Sequence, residues 1–273
     1  MGKCGNRDTI SAMFGSGPLA QFGAKWNAFY ALAIYFPLSR LARVLRAKRQ
    51  SIRGVVDARR PEPQLPDVGW REVISAQRIR LVEAHRSHGN VRLSELALLA
   101  KAAAAVTPGE EIIEIGTFDG RTTLNLALNA PAATQVFTLD LPVGAETKFS
   151  SMKGERRFVD KPLPGERFRN YHGAWRDRAS KIVQLTGDSA IYDWSAHHGK
   201  AGLVFVDGSH AYEYAIHDSE EAFRLAASGA TIIWHDYGIW NGVTRALDEL
   251  ESMRRLGLRR IRGTSLVFLR TKN

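Results

Sequence analysis

The chain contains a single cysteine, Cys4, among its 273 residues. That excludes an internal disulfide and any site built from paired thiolates, and it fits a reducing compartment. Long apolar runs are also missing. The uncharged stretch WNAFYALAIYFPL at 26–38 falls short of the roughly 20 residues that cross a bilayer. Acid is scarce at one end. Residues 1–60 hold eleven Lys and Arg against Asp8 and Asp57, so +9 of the net charge of +10 lies there and the remainder is nearly neutral. A cleaved secretory signal is not expected, because the charges follow the apolar stretch and no cleavage pattern is evident. In MGKCGN, Asn6 stands where N-myristoylation needs Ser or Thr. With 44% hydrophobic content, the chain can still bury one substantial core plus an appendage.

The richest segment is EIIEIGTFDG at 111–120. Ile112, Ile113 and Ile115 are β-branched residues in a short apolar run that stops at Gly116, which reads as a buried strand. Glu114 among them is costly unless something donates to it or carries positive charge nearby, and a bound ligand can do both. Gly116 and Gly120 permit backbone conformations and a close approach that side chains block, and a helix over 121–129 begins with free N–H groups. The spacing E-x-G-x-x-x-G matches neither the dinucleotide fingerprint nor the phosphate loop, which disfavours a pyrophosphate. QVFTLDL at 135–141 predicts a second strand ending in Asp140, where an acid can accept ribose hydroxyls. A nucleoside without a pyrophosphate satisfies both features.

KIVQLTGDSA at 181–190, AGLVFVDGSH at 201–210 and GATIIWHDYG at 229–238 repeat the pattern of an apolar run ending in acid or histidine. Helical patterns lie between them at 121–129, 212–227 and 242–255, and others precede them at 71–87 and 93–106. This rhythm predicts an α/β fold, a doubly wound and mostly parallel sheet, whose strand-end polar residues meet at one edge. RIRGTSLVFLR at 260–270 reads as a closing strand, antiparallel as edge additions often are. The expected organisation is a basic amphipathic extension over 1–60, a linker with entry helices over 61–107, and a cofactor-binding domain over 108–273.

The glycine turn and Asp140 resemble those of the Rossmann-like class I methyltransferases that use S-adenosylmethionine. Within FVDGSHAYEYAIHDSEEAFRLAASGATIIWHDYGIWNGV at 205–243, the V-D-G-x-H-x-Y pattern and the later H-D-Y look like the metal-dependent O-methyltransferases of the macrocin-like sugar group. Cephalosporin-hydroxylase-like proteins are further relatives. The resemblance implies Asp207 and Asp236 as ligands of a divalent ion, and two carboxylates suit Mg²⁺. His235 stands at a place where the resemblance implies a second acid, so it is a candidate third ligand and the leading candidate for general base, with His210 behind it. Glu114, Gly116, Asp119, Thr122, Asp140, Asp188 and Ser189 are the expected cofactor residues. For Asp119 a helix cap is an equal alternative, and for Asp188 a cap fits nearly as well. Asp218 reads as a residue of a solvated helix face.

The stretch 142–180, with Pro142, Pro162, Pro164 and the basic cluster Lys153, Arg156 and Arg157, is long enough to be a lid over the acceptor site. Phe158, Phe168, Tyr171, Trp175 and Trp240 are candidates for stacking on a sugar or ring. The implied activity is transfer of a methyl group to a hydroxyl of a sugar or polyol-like metabolite, in the cytoplasm. A catechol-like phenol is the alternative acceptor. A nucleic-acid-binding protein using its basic head is an alternative of another class, and the near-neutral core and absence of an N-P-P-Y-type motif argue against it. Residues 26–50, with Leu38, Leu41, Ala42 and Leu45 on one face and Arg40 and Arg43 opposite, suit an amphipathic helix on the inner membrane face. Packing on the domain, or on a second subunit in a homo-oligomer, is the equal alternative.

Overall fold

The computed structural model describes residues 18–52, 62–74, 78–84, 91–152, 155 and 163–272. Cys4, Lys153, Arg156, Arg157, Phe158, Pro162 and parts of the linker and of the 71–87 pattern lie outside these residues. Strands β1 (Asp67–Val68), β2 (Glu111–Ile115), β3 (Val136–Asp140), β4 (Ile182–Thr186), β5 (Ala201–Val206), β6 (Ala226–Trp234), β7 (Arg259–Ile261) and β8 (Val267–Arg270) form one sheet. Its order is β1-β7-β8-β6-β5-β2-β3-β4. Every pairing is parallel except those of β8, which runs antiparallel to β6 and β7. This is the expected doubly wound, mostly parallel sheet. The closing segment is two strands rather than one, because Gly263, at φ +86°, turns the chain back before Val267.

β5 shows why the sheet takes helices on both faces. All six of its residues are buried, and they alternate between two cores. Leu203 and Phe205 join the cluster under α4 (Leu93–Ala104) and α5 (Arg121–Asn129), with Leu96, Leu99 and Leu126. Val204 and Val206 join the cluster under α8 (Tyr212–Leu225) and α9 (Asn241–Arg254), with Leu225, Leu247 and Leu250. Such strands read as continuous apolar runs, as this sequence does.

A helical arm runs from α1 (Pro18–Phe29) through π-helical turns at Tyr30–Tyr35 into α2 (Phe36–Ile52). Ala28, Ala31 and Phe36 enter the first core. Among the described residues, the helical pattern over 71–87 is realised only as α3 (Trp70–Val73). Residues 78–81 are without regular structure and are held along α5 by side-chain amides. Asn129 accepts from Arg80 N at 2.7 Å and donates to Arg80 O at 2.7 Å, and Asn125 does the same for Val82 at 3.0 Å each way. Two amides one helical turn apart thus imitate a strand edge, and tertiary pairing overrides the local helical preference. Among its described residues, the long connection after β3 carries two short helices, α6 (Glu166–Arg169) and α7 (Arg176–Ala179).

Candidate active site

The carboxyl edge of β2, β3, β5 and β6 gathers the polar residues. Gly116 leaves β2 at φ +102°, and a Cβ there would overlap the carbonyl oxygen of Asp207. The turn therefore needs glycine to lie against the end of β5. Gly120, at φ +81°, is covered from the other side, since a Cβ would sit 2.5 Å from Phe168 Cδ1 of α6. The long connection thus closes over the glycine turn, with Phe168 as the packing residue.

Glu114 is fully buried. Its Oε2 accepts from the hydroxyls of Thr138, at 2.6 Å, and Thr123, while Oε1 has no hydrogen-bond partner among the described residues. Burial pushes its pKa up to about 8, against the lowering effect of the two threonines. A buried carboxyl with one orphan oxygen beside a glycine turn fits a ligand group that brings a donor or positive charge. Asp140 Oδ2 accepts from Phe118 N at 2.6 Å, and Oδ1 from Leu141 N at 2.7 Å, so it ties the end of β3 to the turn. Thr122 is buried on α5.

Two expected cofactor residues are otherwise engaged. Asp119 Oδ1 accepts from Arg121 N at 3.0 Å, and its Oδ2 pairs with Arg167 Nε at 2.7 Å. Arg167 also pairs with Glu83 at 2.7 Å. This is the helix-capping alternative, extended into a latch on the long connection. Asp188 accepts from Lys148 N at 2.7 Å, Tyr214 Oη at 2.8 Å and Ala190 N at 3.0 Å. It anchors the start of the connection to α8, and the neighbouring Ser189 is half-buried. Asp218 is not solvated. It is 1% exposed, beneath Gly208, and burial raises its pKa.

On the other half of the edge, Asp207, His210 and Asp236 bring ligand atoms within 4.8 Å of one another. His210 Nε2 lies 2.8 Å from Asp236 Oδ2, and its ring stacks on Trp240 with centroids 4.5 Å apart. His235 approaches the same acids from behind. Its Nδ1 lies 3.0 Å from Asp207 Oδ1 and 3.3 Å from Asp236 Oδ1, and its Nε2 lies 3.5 Å from Glu95 Oε2. The metal-type cluster thus contains His210 in the place where the sequence suggests His235. Both nitrogens of His235 face carboxylates and its side chain is 1% exposed, which leaves no nitrogen open to an acceptor as a general base requires. Asp236 adopts φ +63°, an uncommon conformation for a residue with a side chain, and such outliers gather at functional sites.

The charges reinforce one another. Burial pulls His235 down, but the charges of Asp207 and Asp236 outweigh it and raise its pKa well above the usual imidazole range. His210 is raised to about 9, because Asp236 and Glu155 overcome its burial. Burial pushes Asp207 up. Asp236 is held well below the carboxylate range, since the two histidines overcome its burial.

Two members of this network carry no signal in the sequence. Glu155, an acid inside a basic stretch of the long connection, accepts from the His210 backbone N–H, and its Oε1 lies 2.5 Å from His210 Nδ1. Glu95 sits at the start of α4 in an apolar run, where it reads as a capping residue. It does accept from Arg92 N at 2.9 Å, yet it is fully buried and also accepts from Ser265 N at 2.8 Å. Burial raises its pKa, but His235 and Arg92 bring it to about 2.

Residues 113–237 match the family model described as a methyltransferase domain, a span from the middle of β2 to just past Asp236. The match supports a methyltransferase. No curated protein matches the chain. Among solved structures, the O-methyltransferase NovP is 15% identical, with a TM-score of 0.49, covering 69% of this chain and 84% of that one. An O-methyltransferase from Bacillus cereus in complex with SAH is 16% identical, with a TM-score of 0.44 and coverage of 70% and 84%. TomG from Streptomyces achromogenes, an O-methyltransferase involved in tomaymycin synthesis and solved with SAM, is 18% identical, with a TM-score of 0.44 and coverage of 67% and 82%. Likenesses this distant carry no argument about activity, and the fold stands on the strand order itself.

Proposed function

We propose that this methyltransferase is a class I enzyme that uses S-adenosylmethionine, assisted by a divalent ion, to methylate a hydroxyl of a sugar or polyol-like metabolite in the cytoplasm. The observation that carries the reading is the meeting, at one sheet edge, of a buried carboxyl with an orphan oxygen and a cluster of two aspartates and a histidine. The sugar class rests on the V-D-G-x-H-x-Y and H-D-Y pattern alone.

Glu114, the glycine turn and Asp140 would hold S-adenosylmethionine, which supplies an electrophilic methyl group on a sulfonium. Asp207 and Asp236 would hold Mg²⁺ or a similar ion, with His210 at their rim, and the charge of that ion would ease ionisation of a hydroxyl. The donor set fits. Around the two imidazoles stand the carboxylates of Asp207, Asp236, Glu155 and Glu95, an excess of negative charge suited to a cation. For methyl transfer the acceptor hydroxyl must lose its proton, and the Asp207 carboxylate would accept it. Asp207 has this role because its side chain is 21% exposed, against 5% for Asp236 and 1% for His235. His235 positions Asp207 and Asp236, and His210 positions Asp236 from the rim.

Calorimetric titration with S-adenosylmethionine and with Mg²⁺, on the wild type and on an Asp207→Ala/Asp236→Ala variant, tests this reading. Cofactor binding in both proteins with Mg²⁺ binding in the wild type alone is the expected result and leads to an acceptor screen among sugars. Absence of cofactor binding overturns the enzyme reading. Cofactor binding with unchanged Mg²⁺ binding in the variant overturns the metal site.

A further inference from the structure

The helical arm formed by α1, the π turns and α2 is built inside out. Its inward positions are mostly small, with Ala24, Ala28 and Ala31 buried. Asn27 fixes the arm by donating to Leu81 O at 3.3 Å. Its outward positions carry Phe22, Trp26, Phe29, Leu38, Leu41 and Leu45, each between 52% and 67% exposed. Water favours the reverse arrangement, and large side chains aligned along an exposed helix mark a surface that meets another apolar phase. The turns at Tyr30–Tyr35, hydrogen-bonded i→i+5, take more residues per turn than α-helix. The lag they introduce keeps Leu38, Leu41 and Leu45 near the side of Phe22, Trp26 and Phe29.

The charge of the segment selects the occupant. Residues 1–60 carry eleven Lys and Arg against two Asp, and α2 alone contributes Arg40, Arg43, Arg46, Lys48 and Arg49. A second copy docked on this stripe would bring one strongly cationic segment against another. An anionic surface would meet it with opposite charge. No helix among the described residues is long and apolar enough to cross a membrane, so the arm would lie in the interface rather than through it. Aromatic residues such as Trp26 and Tyr30 suit the headgroup level. We propose that the arm docks this protein on an anionic lipid bilayer, with the Phe22–Leu45 stripe at the acyl boundary and the basic residues among the headgroups.

Co-sedimentation of the full chain with phosphatidylcholine vesicles, with and without phosphatidylglycerol, tests the proposal. Binding to the anionic vesicles is expected, weaker by at least about tenfold on neutral vesicles or at high salt. A Trp26→Ser/Leu41→Ser variant should lose about tenfold or more in binding with an unchanged melting temperature, because both side chains lie outside the core. Arg40→Gln/Arg43→Gln keeps the stripe and should lose binding to the anionic vesicles only, which preserves the test where the first variant fails to fold. Equal sedimentation of the wild type and both variants overturns the proposal. So does a wild type that ignores vesicles but forms a dimer by light scattering. Neither cofactor nor acceptor enters the measurement, so its outcome is independent of the methyl-transfer reading.

Discussion

Two buried acids at the same sheet edge, Glu114 at the end of β2 and Asp236 after β6, meet opposite fates. Both are almost fully enclosed. Glu114 accepts from two threonine hydroxyls, keeps one oxygen unpartnered among the described residues, and is pushed up to about 8 by burial, with the charges of Asp207 and Asp140 adding to the rise. Asp236 lies between His210 and His235, which hold it well below the carboxylate range despite similar burial. Desolvation is common to both, so the neighbours decide the outcome. The β2 half of the edge leaves one carboxyl oxygen unmet within the described residues, as a site does when its ligand brings the complement. The β6 half arrives already paired, with carboxylates fixed by imidazoles that are fixed in turn by Glu95 and Glu155.

The sharpest way to break this contrast is to remove the buried support on the paired side. Glu95→Ala leaves His235 facing Asp207 and Asp236 with its other nitrogen uncompensated in the core, and it frees Ser265 N. Breaking a buried pair of this kind costs about 3–5 kcal/mol, to be read from denaturant unfolding. A loss below about 1 kcal/mol would mean that the two aspartates hold His235 unaided.

The unpaired side should announce itself through pH. Because the folded-state pKa of Glu114 is raised from 4.5 to about 8, the folded protein holds a proton that the unfolded chain has released over that interval. Its contribution to stability is complete below about pH 4.5 and is lost as pH rises through about 8, on the order of 5 kcal/mol in total. Glu114→Gln should flatten that part of the stability profile in thermal melts across pH. A profile identical to the wild type would show that Glu114 is ionised when folded. Smaller still is the expected effect of Gly116→Ala, about 2 kcal/mol from the positive φ and the overlap with the Asp207 carbonyl, measured by the same melts.

The strands were legible because burial on both faces writes itself as apolar runs, and their end residues followed from the parallel order. Asp207 and Asp236 meet for that reason. Glu95 and Glu155 were not legible, since each reaches the cluster from a segment whose local pattern says something else: a helix start for Glu95 and a basic loop for Glu155. The residues 78–81 misled in the same way, because Asn125 and Asn129 on another element determine their conformation. Periodicity reports what an element does with its own neighbours and is silent about a side chain recruited across 55 or 140 positions.

Asp119 gives the finest test of where the ligand-facing half ends. Sequence places it with the cofactor, whereas its two oxygens cap α5 through Arg121 N and latch the long connection through Arg167. With that side chain and that of Arg167 each 18% exposed, loss of the cap and pair in Asp119→Ala should cost about 1 kcal/mol. S-adenosylmethionine affinity should stay within about twofold, whereas Glu114→Gln should weaken it about tenfold, the size of one charge-assisted hydrogen bond. The same calorimetric titration reads both variants. If Asp119→Ala weakens the cofactor as much as Glu114→Gln does, the capping residue also faces the ligand, and the division between an unmet carboxyl and its fully engaged neighbours must be redrawn to include it.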